Sequence, residues 1–214
     1  MYLPLNLKVG LLIKIIMKQF FLILLYFITL NTKAQNGDVR LLSNIYADSS
    51  ATKDKTAKIF SISVAPISLA TPATMLIVGL IKKDSILIHN GLKTGGAILL
   101  TTAVSISLKY AVSRQRPFNE YPQLFHGKVS ASGYSFPSEH TSSAFSTATS
   151  LSLAYPKWYV IAPAYLWACG AAYSRMYLGV HYPTDVLAGA VIGTACSFLS
   201  FKIEKWLITK KHRR

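Results

Sequence analysis

The sequence predicts an all-α protein, a polytopic membrane helix bundle of five to six transmembrane helices with its active site at the extracytoplasmic end. Three observations carry this. Of 214 residues, 51% are hydrophobic and only 14% charged, and the mean hydropathy is +0.36, too apolar for an ordinary soluble domain. The apolar residues gather into runs long enough to cross a bilayer. The net charge of +15, from 23 Lys+Arg against 8 Asp+Glu, collects at the ends of those runs. That is the pattern of membrane topology. A nucleic-acid surface would instead line one face with cations, so the bilayer is expected as partner and nucleic acid is not.

Residues 1–34 come first. Met17 and Lys18 open a second apparent start, Gln19 to Leu30 is an apolar core, and Thr32-Lys33-Ala34 offers small residues where a signal peptidase cuts. This reads as a signal peptide cleaved after Ala34, or as a first transmembrane span if Leu11 to Ile16 lengthens the core. Residues 35–58 are polar and mixed in charge, an extracytoplasmic loop or surface helix. Ile59 to Ile81 is long enough to span, with Pro66 and Pro72 as kinks that membrane helices tolerate. Ser85 to Lys93 is amphipathic and suits the cytoplasmic interface, where Lys93 can snorkel. Thr94 to Val112 is the next span.

Lys109 and Arg116 stand seven apart at the end of that span, about two helical turns, which returns both to one face. Pro117 stops the helix. Taken alone this is a basic helix end at lipid headgroups, and Arg114 receives no role beyond that. Residues 118–136 are polar and turn-rich. Pro137 and Ser138 then start a helix containing Glu139 and His140. Its N–H groups and positive dipole end suit a phosphate. Nine Ser/Thr lie between Ser138 and Ser152, which suggests a helix packed inside a bundle. Trp158 to Tyr173 and Val186 to Phe201 are the last spans. The second carries Gly189 and Gly193, a small-xxx-small face for close packing. Cys169 and Cys196 lie in apolar runs and read as buried thiols rather than a disulfide or a metal pair. Residues 206–214 form a basic cytoplasmic tail.

Between those spans, Ser174 to Asp185 holds Arg175, His181 and Asp185 within twelve residues. Charge there is costly unless it is used. Arg175 can grip a phosphate or carboxylate with two prongs. His181 can attack or carry a proton. Asp185, four residues on, can hold one imidazole nitrogen so that the other is free. A plain polar turn with Arg and Asp paired explains the same residues, and on this stretch alone both readings stand.

Topology joins the sites. No span separates Arg116 from Ser138, and two helices separate Ser138 from Arg175, so all three lie at one face. The opposite face receives Lys14, Lys18, Lys82, Lys83, Lys157 and the tail, and by the positive-inside rule it is cytoplasmic. Lys53, Lys55 and Lys58 count against this. Cations, a helix N-terminus, two histidines and one carboxylate suit a phosphate monoester or diphosphate. Carboxylates are too few for a divalent metal site, so covalent catalysis by histidine is the simpler scheme and no cofactor is expected.

The pattern Lys109…Arg116-Pro117, Pro137-Ser138-x-His140, Ser174-Arg175…His181…Asp185 resembles the type 2 phosphatidic acid phosphatase superfamily over roughly residues 55–205. Its order and spacing agree, and the three motifs together are far more specific than any one. The resemblance places a catalytic domain over residues 59–205. It implies that His181 attacks phosphorus and forms a phosphohistidine, that Asp185 orients it, and that His140 protonates the leaving oxygen. It implies phosphate binding by Lys109, Arg116, Ser138, Glu139 and Arg175, without a metal. Glu139 departs from the family's usual Gly. Its backbone N–H can still meet the phosphate, while its carboxylate is expected to turn away. The expected substrate is a lipid phosphate or diphosphate, such as phosphatidic acid, phosphatidylglycerophosphate, undecaprenyl diphosphate or the 1-phosphate of lipid A. A secreted acid phosphatase of similar motifs, and a non-catalytic lipid-phosphate-binding membrane protein, are the alternatives. A vanadium haloperoxidase fits less well, because the chain is short for one. Nothing in the sequence sets an oligomeric state.

Overall fold

A computed structural model of the chain describes residues 35–47 and 50–211. The signal peptide or first span expected within residues 1–34 lies outside the described residues. Seven helices follow in order: α1 (Gln35–Ala47), α2 (Ala51–Lys82), α3 (Ser85–Val112), the single turn α4 (Pro117–Glu120), α5 (Glu139–Ala154), α6 (Trp158–Tyr177) and α7 (Pro183–Lys211). No strand occurs among the described residues.

Their ends follow from local chemistry. Ser50 caps α2 by accepting a hydrogen bond from the Lys53 amide at 3.3 Å. Asp84 caps α3 through the Ile86 and Leu87 amides at 2.9 and 3.1 Å. Lys83 and Ser113 close α2 and α3 in the left-handed region, at φ 53 and 50. Pro66, Pro72 and Pro163 stay inside helices. The segment 35–58, expected as a loop or surface helix, is helical: α1 fills its first half and α2 already runs from Ala51. Ser85 to Lys93 is not a separate interfacial piece but the first turns of one continuous α3.

Composition is inverted relative to a soluble protein. Large apolar side chains face outward, among them Ile62, Leu69, Ile81, Leu99 and Leu166, while Ser61, Ser68, Thr94, Thr101, Ser146, Thr147 and Ser150 are buried. An apolar exterior around a hydroxyl-lined interior is what a bilayer selects. Three described stretches are long and apolar enough to cross one: Ala51–Lys82, Ser85–Glu120 and Pro183–Ile203. The shorter α5 is dominated by buried Ser, Thr and Ala. It packs on α2, α3, α6 and α7. The Ser146 and Ser197 hydroxyls meet at 3.1 Å, the Thr147 hydroxyl donates to Ser68 at 2.9 Å, and the Thr149 and Tyr165 hydroxyls meet at 2.9 Å. Cys196 is buried, but Cys169 is exposed, against expectation, because its run is the outward face of α6. Both are free thiols.

Helix ends now meet in alternation. The C-terminal ends of α3 and α6 and the N-terminal ends of α2, α5 and α7 gather together, since the Ser61, Lys109, Ser138, Arg175 and Asp185 contacts described next all join them. At the far end, the Ser200 hydroxyl donates to the Lys93 carbonyl at 2.8 Å.

Candidate active site

Pro117 forces Arg116 out of the helical region, to φ −77 and ψ 155. Its guanidinium then turns inward and is only 5% exposed. Nε donates to the Gly133 carbonyl at 3.0 Å, Nη2 to that of Ser132 at 2.9 Å, and Nη1 to that of Val180 at 2.9 Å. Nη1 also lies 3.1 Å from His181 Nε2. An arginine cannot accept, so Nε2 is the lone-pair nitrogen and the imidazole proton sits on Nδ1.

His181 lies in the bend between α6 and α7. Gly179, at φ +71, makes that bend possible. A side chain there would also collide with the Tyr46 ring, 2.9 Å from the position of a Cβ. Nδ1 faces Asp185 Oδ2 at 3.5 Å, four residues on in the chain. That is too long for a hydrogen bond, and Nδ1 has no partner within bonding distance. Asp185 is held in place by three other donors. Oδ1 accepts from Arg114 Nη1 at 2.8 Å. Oδ2 accepts from the Tyr182 amide at 2.9 Å and from the Ser135 hydroxyl.

The other predicted residues surround this pair. Lys109 Nζ donates to the Tyr134 and Pro137 carbonyls at 3.0 and 3.1 Å. Ser138, fully buried, caps α5 without a side-chain bond to its amides. Its amide donates to the Asp185 carbonyl at 3.0 Å, and its hydroxyl accepts from Thr141 at 2.9 Å. Arg175 is 4% exposed. Its Nη1 donates to Ser61 Oγ of α2, while its Nε is buried without a partner. Such a donor is costly unless an acceptor arrives. Glu139 and His140 open α5 half-buried, and Glu139 makes no ion pair among the described residues.

Burial pushes the His181 pKa down to about 3, and Arg116 and Arg175 add to this against the opposing pull of Asp185. The imidazole is therefore neutral at ordinary pH, with Nε2 unprotonated. Neutral imidazole, cations and a helix N-terminus together make a basic, buried site in which His181 Nε2 offers a lone pair.

Sequence reasoning missed four contributors. Arg114 bridges two carboxylates, Asp185 and Asp38, at 2.8 Å each. Asp38 comes from α1, Ser135 from the turn-rich segment, and Ser61 from α2.

The family model of the PAP2 superfamily matches residues 90–208. Undecaprenyl-diphosphatase of Sulfolobus acidocaldarius is 34% identical over 122 residues, covering 52% of this chain and 56% of its own. Lipid A 4'-phosphatase of Bacteroides thetaiotaomicron is 38% identical over 92 residues, covering 40% of each chain. The matches thus span about half the length of these relatives. Among solved structures, LpxE of Aquifex aeolicus is 30% identical with a TM-score of 0.63, covering 77% of this chain and 94% of its own. The phosphatidylglycerolphosphate phosphatase of Bacillus subtilis shares the fold, with a TM-score of 0.65 at 23% identity over 89% of this chain and 96% of its own. With its three motifs brought to one site, the chain belongs to the PAP2 superfamily.

Proposed function

We propose that this protein is an integral membrane lipid phosphatase. It hydrolyses a phosphate monoester or diphosphate of a membrane lipid through a phosphohistidine, without a metal. The observation that carries this is the neutral His181, with Nε2 as its lone-pair nitrogen, set between Asp185 and the buried guanidinium of Arg116. Nε2 attacks phosphorus as the bond to the lipid oxygen breaks, and His140, charged by the proton that the phosphate monoanion brings into the site, passes that proton to the leaving oxygen. The Nδ1 proton turns to Asp185 as positive charge builds on the ring. Arg116 Nη1 leaves Nε2 for a phosphate oxygen. Lys109, Arg175 with its unpartnered Nε, and the Ser138 end of α5 hold the remaining oxygens, and the Glu139 amide can add to them. Water then attacks phosphorus, His140 takes its proton, and inorganic phosphate leaves with His181 restored.

Undecaprenyl diphosphate and lipid A, named for the relatives, head the candidate substrates, with phosphatidic acid and phosphatidylglycerophosphate beside them. The tails would stay in the bilayer of the cytoplasmic membrane, with the pocket on its outer face. An apolar exterior with three spanning stretches argues against the secreted acid phosphatase.

Phosphate release from a panel of these lipids by purified protein in detergent with EDTA tests the proposal. Release from one class is expected, with His181→Ala lowering turnover by about 10⁴-fold or more while phosphate binding persists. Turnover retained in His181→Ala would remove the histidine mechanism. No release from any lipid would favour the non-catalytic binding protein.

A further inference from the structure

Asp38 lies outside all three motifs, yet its side chain is among the most deeply buried charges of the protein, 4% exposed. Helix α1 brings it there. Leu42 of α1, fully buried, packs with Phe125 and Tyr182, and Val39 and Tyr46 lean on the same cluster. This docks α1 on the residue next to His181. Asp38 Oδ1 accepts the Thr184 amide at 3.2 Å, at the start of α7. Oδ2 accepts from the Thr184 hydroxyl and from Arg114 Nη2, the latter at 2.8 Å. Arg114 Nη1 reaches Thr184 Oγ1 and Asp185 Oδ1, both at 2.8 Å. The guanidinium stacks over the Tyr182 ring at 3.9 Å.

The charges matter more than the bonds. A lone Arg114–Asp185 pair would be neutral, and Asp185 would then offer His181 little negative potential. A second carboxylate on the far side of the guanidinium leaves the trio with one net negative charge. We infer that Asp38 is a positioning residue that holds Arg114 between two carboxylates and so keeps Asp185 available to the Nδ1 proton of His181. Besides Asp185, Arg116 at the N-cap of α4 and Arg175 of α6 act directly on the imidazole, and Lys109 at the end of α3 with Glu139 and His140 of α5 complete the charged and titratable groups of the site. Most are cationic, so a partner that preserves negative charge at Asp185 is the more consequential. The catalytic part of this inference rests on the phosphohistidine reading.

The test uses the full chain in lipid nanodiscs, with Asp38→Asn and Asp38→Glu. Asp38→Asn keeps the size and one acceptor but lets Arg114 neutralise Asp185. On the lipid phosphate that the wild type hydrolyses, kcat should fall about tenfold with KM unchanged, an ordinary coupling within one hydrogen-bond network. Asp38→Glu should recover part of it. In an Asp185→Asn background the same change should cost almost nothing. Independently of turnover, the Nδ1 proton of His181, assigned in histidine-labelled protein by its loss in His181→Asn, should move upfield in Asp38→Asn. Equal losses in both backgrounds, or an unmoved Nδ1 proton, would overturn the inference. A wild type that hydrolyses no lipid phosphate, yet shows the proton shift, would sink the phosphatase and support the role of Asp38.

Discussion

His181 is held neutral by burial, and that has a consequence for stability. An unfolded histidine takes up its proton near pH 6.5, whereas the folded one resists down to about 3. Above pH 6.5 both states are neutral and the residue contributes no pH dependence. As pH falls from 6.5 toward 3 the unfolded chain binds the extra proton, so stability is lost through that window. Thermal unfolding in detergent should show a midpoint that declines below pH 6.5, with a shallower decline in His181→Asn. An unchanged acid slope in the variant would mean that His181 is not held neutral. This histidine was legible because its motif partners stood at readable spacings. Arg114 was not: in sequence it is one more cation at a basic helix end. Its meaning comes from Asp38, 76 positions away, and no local spacing encodes that contact. Ser135 and Ser61 were silent for the same reason.

At the scale of elements, periodicity and composition located the spans but misjudged their limits. The polar start of α3 looked interfacial, yet Asn90, Gly91 and Thr94 are buried against neighbouring helices, so continuity followed packing rather than hydropathy. The Gly189 and Gly193 spacing, in contrast, was read correctly as a close contact. A Cβ on Gly193 would stand 2.1 Å from the Ser142 carbonyl oxygen and 2.8 Å from the Ser146 amide nitrogen. Both are backbone of α5 and cannot swing away, so α5 and α7 would have to separate. Gly193→Ala should therefore lower stability by about 1–3 kcal/mol or more, despite the better helix propensity of alanine. Gly95 supplies the comparison. Its nearest neighbour would be Pro72 Cβ at 3.7 Å, an ordinary contact, so Gly95→Ala should be neutral or stabilising by up to about 1 kcal/mol. Thermal unfolding of the two variants in one detergent decides, and equal midpoints would contradict the tight α5–α7 contact.

At the scale of the whole molecule, the all-helical class and the shared end of the motifs were legible from composition and from counting crossings, while three described stretches, against the five to six spans expected, are long and apolar enough to cross a bilayer. The positive-inside rule predicts that this shared end faces out of the cytoplasm. The far end carries Lys82, Lys83 and Lys157 on short turns, all exposed, and these are the lysines that the positive-inside rule counts. Near the pocket, several cations are instead compensated or consumed. Lys128 pairs with Asp54 at 2.9 Å and lies over the Tyr177 ring at 4.3 Å. Arg114 sits between two carboxylates, and Arg116 and Arg175 are buried. Lys82, Lys83 and Lys157 argue for a cytoplasmic far end, the exposed Lys53, Lys55 and Lys58 argue against it, and an outward pocket is the prediction to be tested. Single cysteines test this once Cys169 and Cys196 are replaced by alanine. Asn119→Cys places a thiol on an exposed turn beside the pocket, and Lys157→Cys places one at the α5–α6 turn, a full helix length away. A membrane-impermeant maleimide on intact cells should label Asn119→Cys and reach Lys157→Cys only after permeabilisation. The opposite pattern would put the pocket in the cytoplasm. The substrate would then have to be a lipid phosphate of the inner leaflet, and the charge argument would fail because lysines near the pocket, Lys53, Lys55 and Lys58 among them, outweigh the three at the far end.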